Sequence, residues 1–361
     1  MPDPITPRIR TTTLNKYVRK KVETIYPKLP LLGVLRGFGR LSFNNSGRKI
    51  VWYPRYRRRE LETGLGEAVS ATFVATNTRL EAESSWRHYH MTERISRFEK
   101  LVNKGKEALI RIVQTTVNEL LEDMEVAFKM KLYINSGSNP EDIDGLQTVH
   151  DTSATAIGSA GDTPAKNPSS NKSYAGIAMQ LGALGGSWTG HFPIGYGDSE
   201  YAAWTSLIVD GTDSNFFANG TWAGDWQSVL RFTRTYLGMR TGIDPNICVM
   251  NAELLRQAMD SLKDAQRLEV SKTPQLLDLG IRALAFEGLD LVADYACPNG
   301  LAFMLNAQHI ELMCLSPQLF YRSEDDDITT STQLIRLDFD GQMVYYSPAC
   351  VGIIDTVTNF S

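Results

Sequence analysis

Residues 91–133 read MTERISRFEKLVNKGKEALIRIVQTTVNELLEDMEVAFKMKLY, and this run decides the architecture. Ile95, Phe98, Leu101, Val102, Leu109, Ile112, Val113, Leu120, Leu121, Met124 and Phe128 recur at three- and four-residue spacing, the period of an amphipathic helix. Glu93–Arg97, Glu107–Arg111 and Glu125–Lys129 place opposite charges at i,i+4 on the other faces. Thr92 stands where an N-cap belongs, and Asn135-Ser136-Gly137-Ser138-Asn139-Pro140 ends the run. At 1.5 Å per residue the helix reaches about 60 Å, far beyond a mean of about 12 residues; Gly105 is the place where it bends or splits. Such an element is a spine, not a core filler.

Upstream, Pro2, Pro4, Pro7, Pro27 and Pro30 leave room only for a short helix near Leu14 to Tyr26, so the first 30 residues read as an extended arm. A β-rich run then starts at Lys49-Ile50-Val51-Trp52-Tyr53 and continues to Arg59, and a second spans Ala68 to Thr76. The glycine-containing stretch Glu60–Glu67 joins them. Pro54 cannot donate to a ladder, which makes this pair a protruding or edge hairpin.

Downstream, residues 145–174 read as loop, and residues 175–245 are dense in glycine and tryptophan. Trp226 to Leu237 is helical by spacing. Asn246 to Met250 is a short buried strand, after which Asn251 caps a helix over Ala252 to Ala265. Strands follow at Ala283–Phe286, Leu289–Ala293, Leu301–Leu305 and Ile310–Leu315. Two more, Leu334–Phe339 and Met343–Ser347, flank a turn at Asp340-Gly341-Gln342. Strands, one long helix, then mixed segments give an α+β fold rather than a βαβ series.

The chain has 361 residues, 42% hydrophobic and 22% charged, with a formal net charge of −4. That composition excludes wholesale disorder and fibrous repeats; no window approaches eighteen apolar residues without charge, which argues against a membrane-spanning helix. The N-terminus lacks the apolar region of a secretory signal. Cys248, Cys297, Cys314 and Cys350 show no CxxC spacing, so a reducing compartment is the default. The net charge conceals a split. Residues 1–60 hold 15 basic and three acidic side chains, a balance of +12; the other 301 hold 22 and 38, a balance of −16. Such asymmetry points to nucleic acid or to docking between copies.

Catalytic signatures fail in turn. Gly185-Gly186-Ser187-Trp188-Thr189-Gly190 places Thr189 where a nucleophile elbow needs glycine, and no Walker sequence exists. His88 and His90 are spaced to share one strand face, with His150 a distant third, but two surface histidines are the simpler reading. Asp325-Asp326-Asp327 lacks the glycine of a calcium loop and reads as a solvated acidic loop. Trp188, Trp204, Trp222 and Trp226 could stack on sugars, yet core packing or a subunit contact is the preferred use. No catalytic residue, metal ligand or cofactor is assigned.

Arg55, Arg57, Arg58 and Arg59 put four guanidiniums into five residues, which repel one another unless anions lie opposite. Alternation on a strand sends Arg55, Arg57 and Arg59 one way and Tyr56 and Arg58 the other. A neighbouring copy could supply the carboxylates. With Trp52 and Tyr53 on the preceding strand, these are the candidate subunit-interface residues.

The order of arm, hairpin, spine helix, compact α+β portion and closing strands resembles the major capsid proteins of tailed phages with the Hong Kong 97-like fold. The resemblance is carried by Asp244-Pro245-Asn246-Ile247-Cys248-Val249-Met250-Asn251, by Leu284 to Asp294, by Cys297 to Asn306, and by Gly341-Gln342 through Gly352-Ile353-Ile354. It implies an N-terminal arm at 1–32, an extended E-loop hairpin at 33–90, a P-domain with the spine helix at 91–140, an A-domain at 141–330, and strands at 331–361 returning to the P-domain. Residues 175–225 match no part of that pattern. The implied function is a major capsid protein: copies form pentamers and hexamers and close an icosahedral shell around double-stranded DNA, in a virion assembled in the host cytoplasm. The implied partners are the chain itself, scaffolding, portal and decoration proteins, and packaged DNA held by non-specific contacts, with no membrane. With only about 32 residues before the hairpin, either this is a mature form or scaffolding is a separate protein. Two alternatives stay open: an encapsulin-type shell around protein cargo, and a carbohydrate-binding protein or enzyme using the tryptophan-rich region.

Overall fold

Pro30 opens a helix, α1 (Pro30–Gly37), at the position where a missing N–H costs nothing. Its Leu31, Leu32, Val34 and Leu35 are buried, so residues 33–37 belong to the body and not to the hairpin expected from residue 33. The computed structural model describes residues 30–59, 75–102, 106–261, 269–270, 283–327 and 332–356. The helix expected near Leu14 to Tyr26, the turn at Glu60–Glu67 and most of the strand at Ala68 to Thr76 lie outside the described residues.

After β1 (Leu41–Ser42) the hairpin foot pairs β2 (Ile50–Trp52) antiparallel with β3 (Ala82–Ser84). The partner of the first run at its foot is therefore 82–84. Next comes β4 (Arg87–Ser96), a ten-residue strand that takes in residues 91–96, where the spacing predicts helix. His88, His90, Thr92 and Arg94 are exposed, while Tyr89, Met91 and Ile95 are more enclosed. That two-residue period is a strand's. Thr92 sits mid-strand opposite Arg336 and caps nothing. Helix α2 (Arg97–Val102) follows, then α3 (Lys106–Lys131), 26 residues long. The spine is thus about 39 Å, with Gly105 outside the described residues. Val117, Leu120, Met124 and Phe128 form its buried stripe.

The 145–174 stretch contributes β5 (Thr155–Ala156), β6 (Ala165–Asn167) and β7 (Ser173–Tyr174). Strand β7 pairs with β8 (Ile177–Ala178), and β9 (Trp188–Thr189) pairs with β10 (Tyr196–Gly197). Strand β11 (Leu207–Asp210) leads to α4 (Trp222–Thr241), and β12 (Ile247–Met250) to α5 (Ala252–Asp260). The Asn251 side chain accepts the Glu253 N–H at 2.9 Å, the cap expected of it. The remaining strands are β13 (Glu269–Val270), β14 (Leu284–Phe286), β15 (Leu289–Ala293), β16 (Leu301–Leu305), β17 (Ile310–Cys314), β18 (Tyr321–Asp327), β19 (Thr332–Tyr345) and β20 (Val351–Asp355).

Two large sheets result. The nine-stranded one runs β13-β14-β15-β12-β16-β20-β11-β6-β5. Its alternation divides the core: Cys248, Met250, Leu291, Ala302, Met304 and Ile354 pack with Trp222, Trp226, Val229 and Leu254 of α4 and α5. On the opposite face, Ile247, Val249, Val292, Phe303, Leu305 and Ile353 belong to a second cluster with Leu120, Met124 and Phe128 of the spine. The five-stranded sheet runs β1-β17-β19-β18, with β4 also paired to β19.

Three expectations change here. Asp340-Gly341-Gln342 is no turn: β19 is continuous for 14 residues, and Gly341 lies opposite both Cys314 and Arg87. A Cβ there would sit 2.5 Å from the Met313 carbonyl oxygen, so the glycine serves close approach of backbones. Asp325, Asp326 and Asp327 lie on strand β18 and not in a loop; an edge strand wet on its open side tolerates them. Segment boundaries also differ. Residues 310–327 pair with β19 in the spine's sheet, whereas 351–355 sit between β16 and β11 in the large sheet and do not return to the first.

Candidate interaction surface

The hairpin rises from a polar joint. Ser84 Oγ donates to Asp144 Oδ2 at 2.9 Å, and Gln342 Nε2 donates to the same oxygen at 3.0 Å and to Ser84 Oγ at 3.1 Å. Gln342 Oε1 accepts the Asp144 N–H at 2.9 Å. All three residues are buried. Burial raises the Asp144 carboxyl, against Ser136, Ser84 and Arg87, which favour its ionised form. Beside it, burial would also raise Asp142, but hydrogen bonds from Lys131 (2.6 Å) and Tyr89 (2.9 Å) prevail and hold it below its usual value.

Trp52 is half-buried in its own subunit: Nε1 donates to the Tyr346 carbonyl at 3.1 Å, and its ring lies 6.2 Å from that of Tyr174. It is an anchor of the hairpin foot. Tyr53, on the other face, is 58% exposed. Beyond the foot the ladder thins to Leu80 N–H to Pro54 O, a bridge between Arg55 and Arg79, and Tyr56 N–H to Thr78 O. Proline accepts there without having to donate, as an edge position requires.

The four arginines are not equivalent. Arg57 Nε lies 3.2 Å from Glu200 Oε1 of the same chain, and the Arg58 N–H donates to Ser199 Oγ at 2.9 Å. The carboxylate expected from a neighbouring copy is thus provided for Arg57 from within. Arg55 Nε donates to the Arg57 carbonyl at 3.2 Å. Arg55, Arg58 and Arg59 are exposed, and among the described residues no carboxylate pairs with them. Strict alternation fails past Arg55 because residues 56–59 are not in a strand. No local signal marks Ser199 or Glu200, which are more than 140 residues away.

The other candidates resolve as structure. Trp204, Trp222 and Trp226 are buried, with indole N–H groups donating to Tyr174 O, Leu254 O and Ser261 Oγ. Trp188 packs on Tyr201 and Phe192. A sugar platform needs open faces, which these three buried rings lack. His88 and His90 share a face, rings 5.7 Å apart, but His88 contacts Asp340 and His150 lies against Asp355 in the other sheet. Among the described residues no group of three or more His, Cys, Asp or Glu is placed to hold a metal ion. The four thiols are free and buried, and burial pushes Cys248 and Cys314 up to about 12; they make poor nucleophiles. No described helix is long and apolar enough to cross a membrane.

No protein-family model matches the chain, and no curated protein matches it. Solved structures do. The capsid of cyanophage A-1(L) is similar with a TM-score of 0.59 at 16% identity, over 94% of this chain and 96% of that one. The capsid of a native GTA particle gives 0.57 at 12% identity, over 95% of each chain. The holo-SrpI encapsulin of Synechococcus elongatus PCC 7942 gives 0.50 at 7% identity, over 97% and 94%. The fold is therefore the α+β, Hong Kong 97-like fold of phage capsid subunits.

Proposed function

We propose that this chain is the major capsid protein of a tailed phage, a non-enzymatic subunit whose copies form pentamers and hexamers of an icosahedral shell around double-stranded DNA. One observation carries the reading: the likeness to a capsid subunit runs over 95% of both chains. Physical chemistry supports it. A two-stranded hairpin is marginal in water alone, and this one exposes Tyr53, Arg55, Arg58 and Arg59; a neighbouring copy would cover them. Heterologous contacts that close give rings and shells.

In this reading the hairpin within 33–90 reaches between subunits. The spine and five-stranded sheet form the peripheral domain, and the nine-stranded sheet with α4 and α5 forms the body that gathers around symmetry axes. Scaffolding, portal and decoration proteins, and packaged DNA held through non-specific contacts, are its further partners. It assembles in the host cytoplasm and resides in the virion. Electron microscopy of the purified chain tests this: closed shells are expected, and monomers or small oligomers under every assembly condition, scaffold included, contradict it.

The second reading is an encapsulin-type shell, favoured by the similarity to the SrpI encapsulin. Particle contents separate the two. Nucleic acid supports the phage head, and a single packaged protein species with no nucleic acid supports the compartment.

A further inference from the structure

Across the hairpin, Arg55 stands opposite another arginine. The bonds from Leu80 N–H to Pro54 O (3.1 Å) and from Tyr56 N–H to Thr78 O (3.2 Å) flank an antiparallel bridge between Arg55 and Arg79. That pattern makes the two a non-hydrogen-bonded pair, the kind in which opposite residues come closest, with Cα atoms about 4.5 Å apart. Side chains directly opposite leave the same face of the ladder, and like charges there repel. Both arginines are exposed.

Among the described residues no carboxylate relieves them. Arg55 Nε donates to the Arg57 carbonyl at 3.2 Å, and its terminal nitrogens meet no anion. Of the carboxylates near the foot, Glu83 is held by Lys49 at 2.7 Å and Glu200 lies 3.2 Å from Arg57. Glu81 follows Arg79 by two residues on the same face, opposite Tyr53 by register, and pairs with neither arginine. Ladder arginines elsewhere are placed differently: Arg94 lies opposite Leu334, and Arg336 pairs with Asp338 at 2.8 Å.

Two guanidinium forks on one face present their donors to the oxygens of a tetrahedral oxyanion. A phosphate group brings a charge of about −1.5 to −2 and three acceptor oxygens, where a carboxylate brings a single charge and fewer oxygens. We propose that Arg55 and Arg79 clamp a phosphate group. Free phosphate and the phosphates of nucleic acid share that chemistry, and the experiment separates them. The proposal goes beyond the shell reading and does not depend on it. A bound phosphate turns a repelling cross-strand pair into a bridged one, and so steadies the hairpin limb in a free subunit as in an assembled one.

Calorimetry of the full chain with inorganic phosphate, against chloride at matched ionic strength, tests the clamp. The parent is expected to bind one phosphate per chain saturably. Arg55→Gln and Arg79→Gln should each weaken binding by about tenfold or more, the loss of a charge-assisted bond, whereas Arg94→Gln should bind as the parent does. Amide exchange gives a second readout. Phosphate should slow exchange at Tyr56 and Leu80 in the parent; Arg79→Glu, which sets a carboxylate opposite Arg55, should slow it without phosphate and abolish the response. Circular dichroism confirms that the variants fold. A short DNA duplex is then titrated at several salt concentrations. If nucleic acid supplies the phosphate, Arg55→Gln/Arg79→Gln lowers the slope of log K against log salt by about 2; an unchanged slope with phosphate binding lost assigns the clamp to free phosphate. Phosphate that never saturates together with an unchanged duplex slope overturns the proposal, as do Gln variants that bind both probes like the parent.

Discussion

Arg57 Nε lies 3.2 Å from the Glu200 carboxylate of the same chain, tying the hairpin's first limb to the loop before β11. The Arg58 N–H, held by Ser199 Oγ, doubles the tie. The pair is partly open, with 37% of the Arg57 side chain exposed, so solvent screens it.

Glu200→Gln should therefore cost at most about 1 kcal/mol of global stability. Its effect should be local: faster amide exchange at residues 56–58 with unchanged exchange in β12 and β16. Global unfolding of this variant would mean that the tie holds far more than the hairpin limb.

The Asp144 joint should respond to pH in the sense opposite to an ordinary surface ion pair. Burial raises its carboxyl in the folded chain. Its favourable contribution is then complete below the unfolded-state value and is lost as pH rises through the folded-state value. Asp144→Asn keeps an oxygen for the Ser84 and Gln342 donors and turns its amide toward Ser136. Relative to the parent, it should gain stability as pH rises above the usual carboxylate range in urea titrations. A variant that instead loses stability increasingly as pH rises would show the carboxylate to be favoured in place.

Trp222 is fully buried, with Nε1 donating to the Leu254 carbonyl at 2.9 Å. Trp222→Ala should cost about 3–5 kcal/mol, read as a lower urea midpoint. An exposed sugar-stacking tryptophan would leave the midpoint nearly unchanged.

At Gly341 a Cβ would meet the Met313 carbonyl oxygen and the Phe339 ring. Gly341→Ala should destabilise by about 1–3 kcal/mol through displaced backbone. A variant as stable as the parent would mean that β17 and β19 can part at no cost.

Local chemistry made much of this legible in the sequence. The apolar run at Ile247–Met250, the Asn251 cap and the strands at Leu289–Ala293 and Leu301–Leu305 each rest on signals a few residues wide, and each formed as expected. Errors arose where two short-range signals overlapped. Tyr89, Met91 and Ile95 alternate as a strand, yet Ile95 also continues the helical spacing downstream, and pairing with β19 decided the contest. Asp340-Gly341 carries turn chemistry, but a tight backbone approach claimed the glycine. The interaction surface was half legible. Four arginines are conspicuous in any reading, whereas Glu200, Asp144 and Gln342 became their neighbours, or the hairpin's, only through the long-range fold.

A reconstruction of particles assembled from the purified chain tests the central claim most directly. The account predicts a closed icosahedral shell of pentamers and hexamers in which the exposed side chains of Tyr53, Arg55, Arg58 and Arg59 of each copy face an adjacent one. A chain that stays monomeric, or a closed particle in which these side chains face no neighbouring copy, would contradict it.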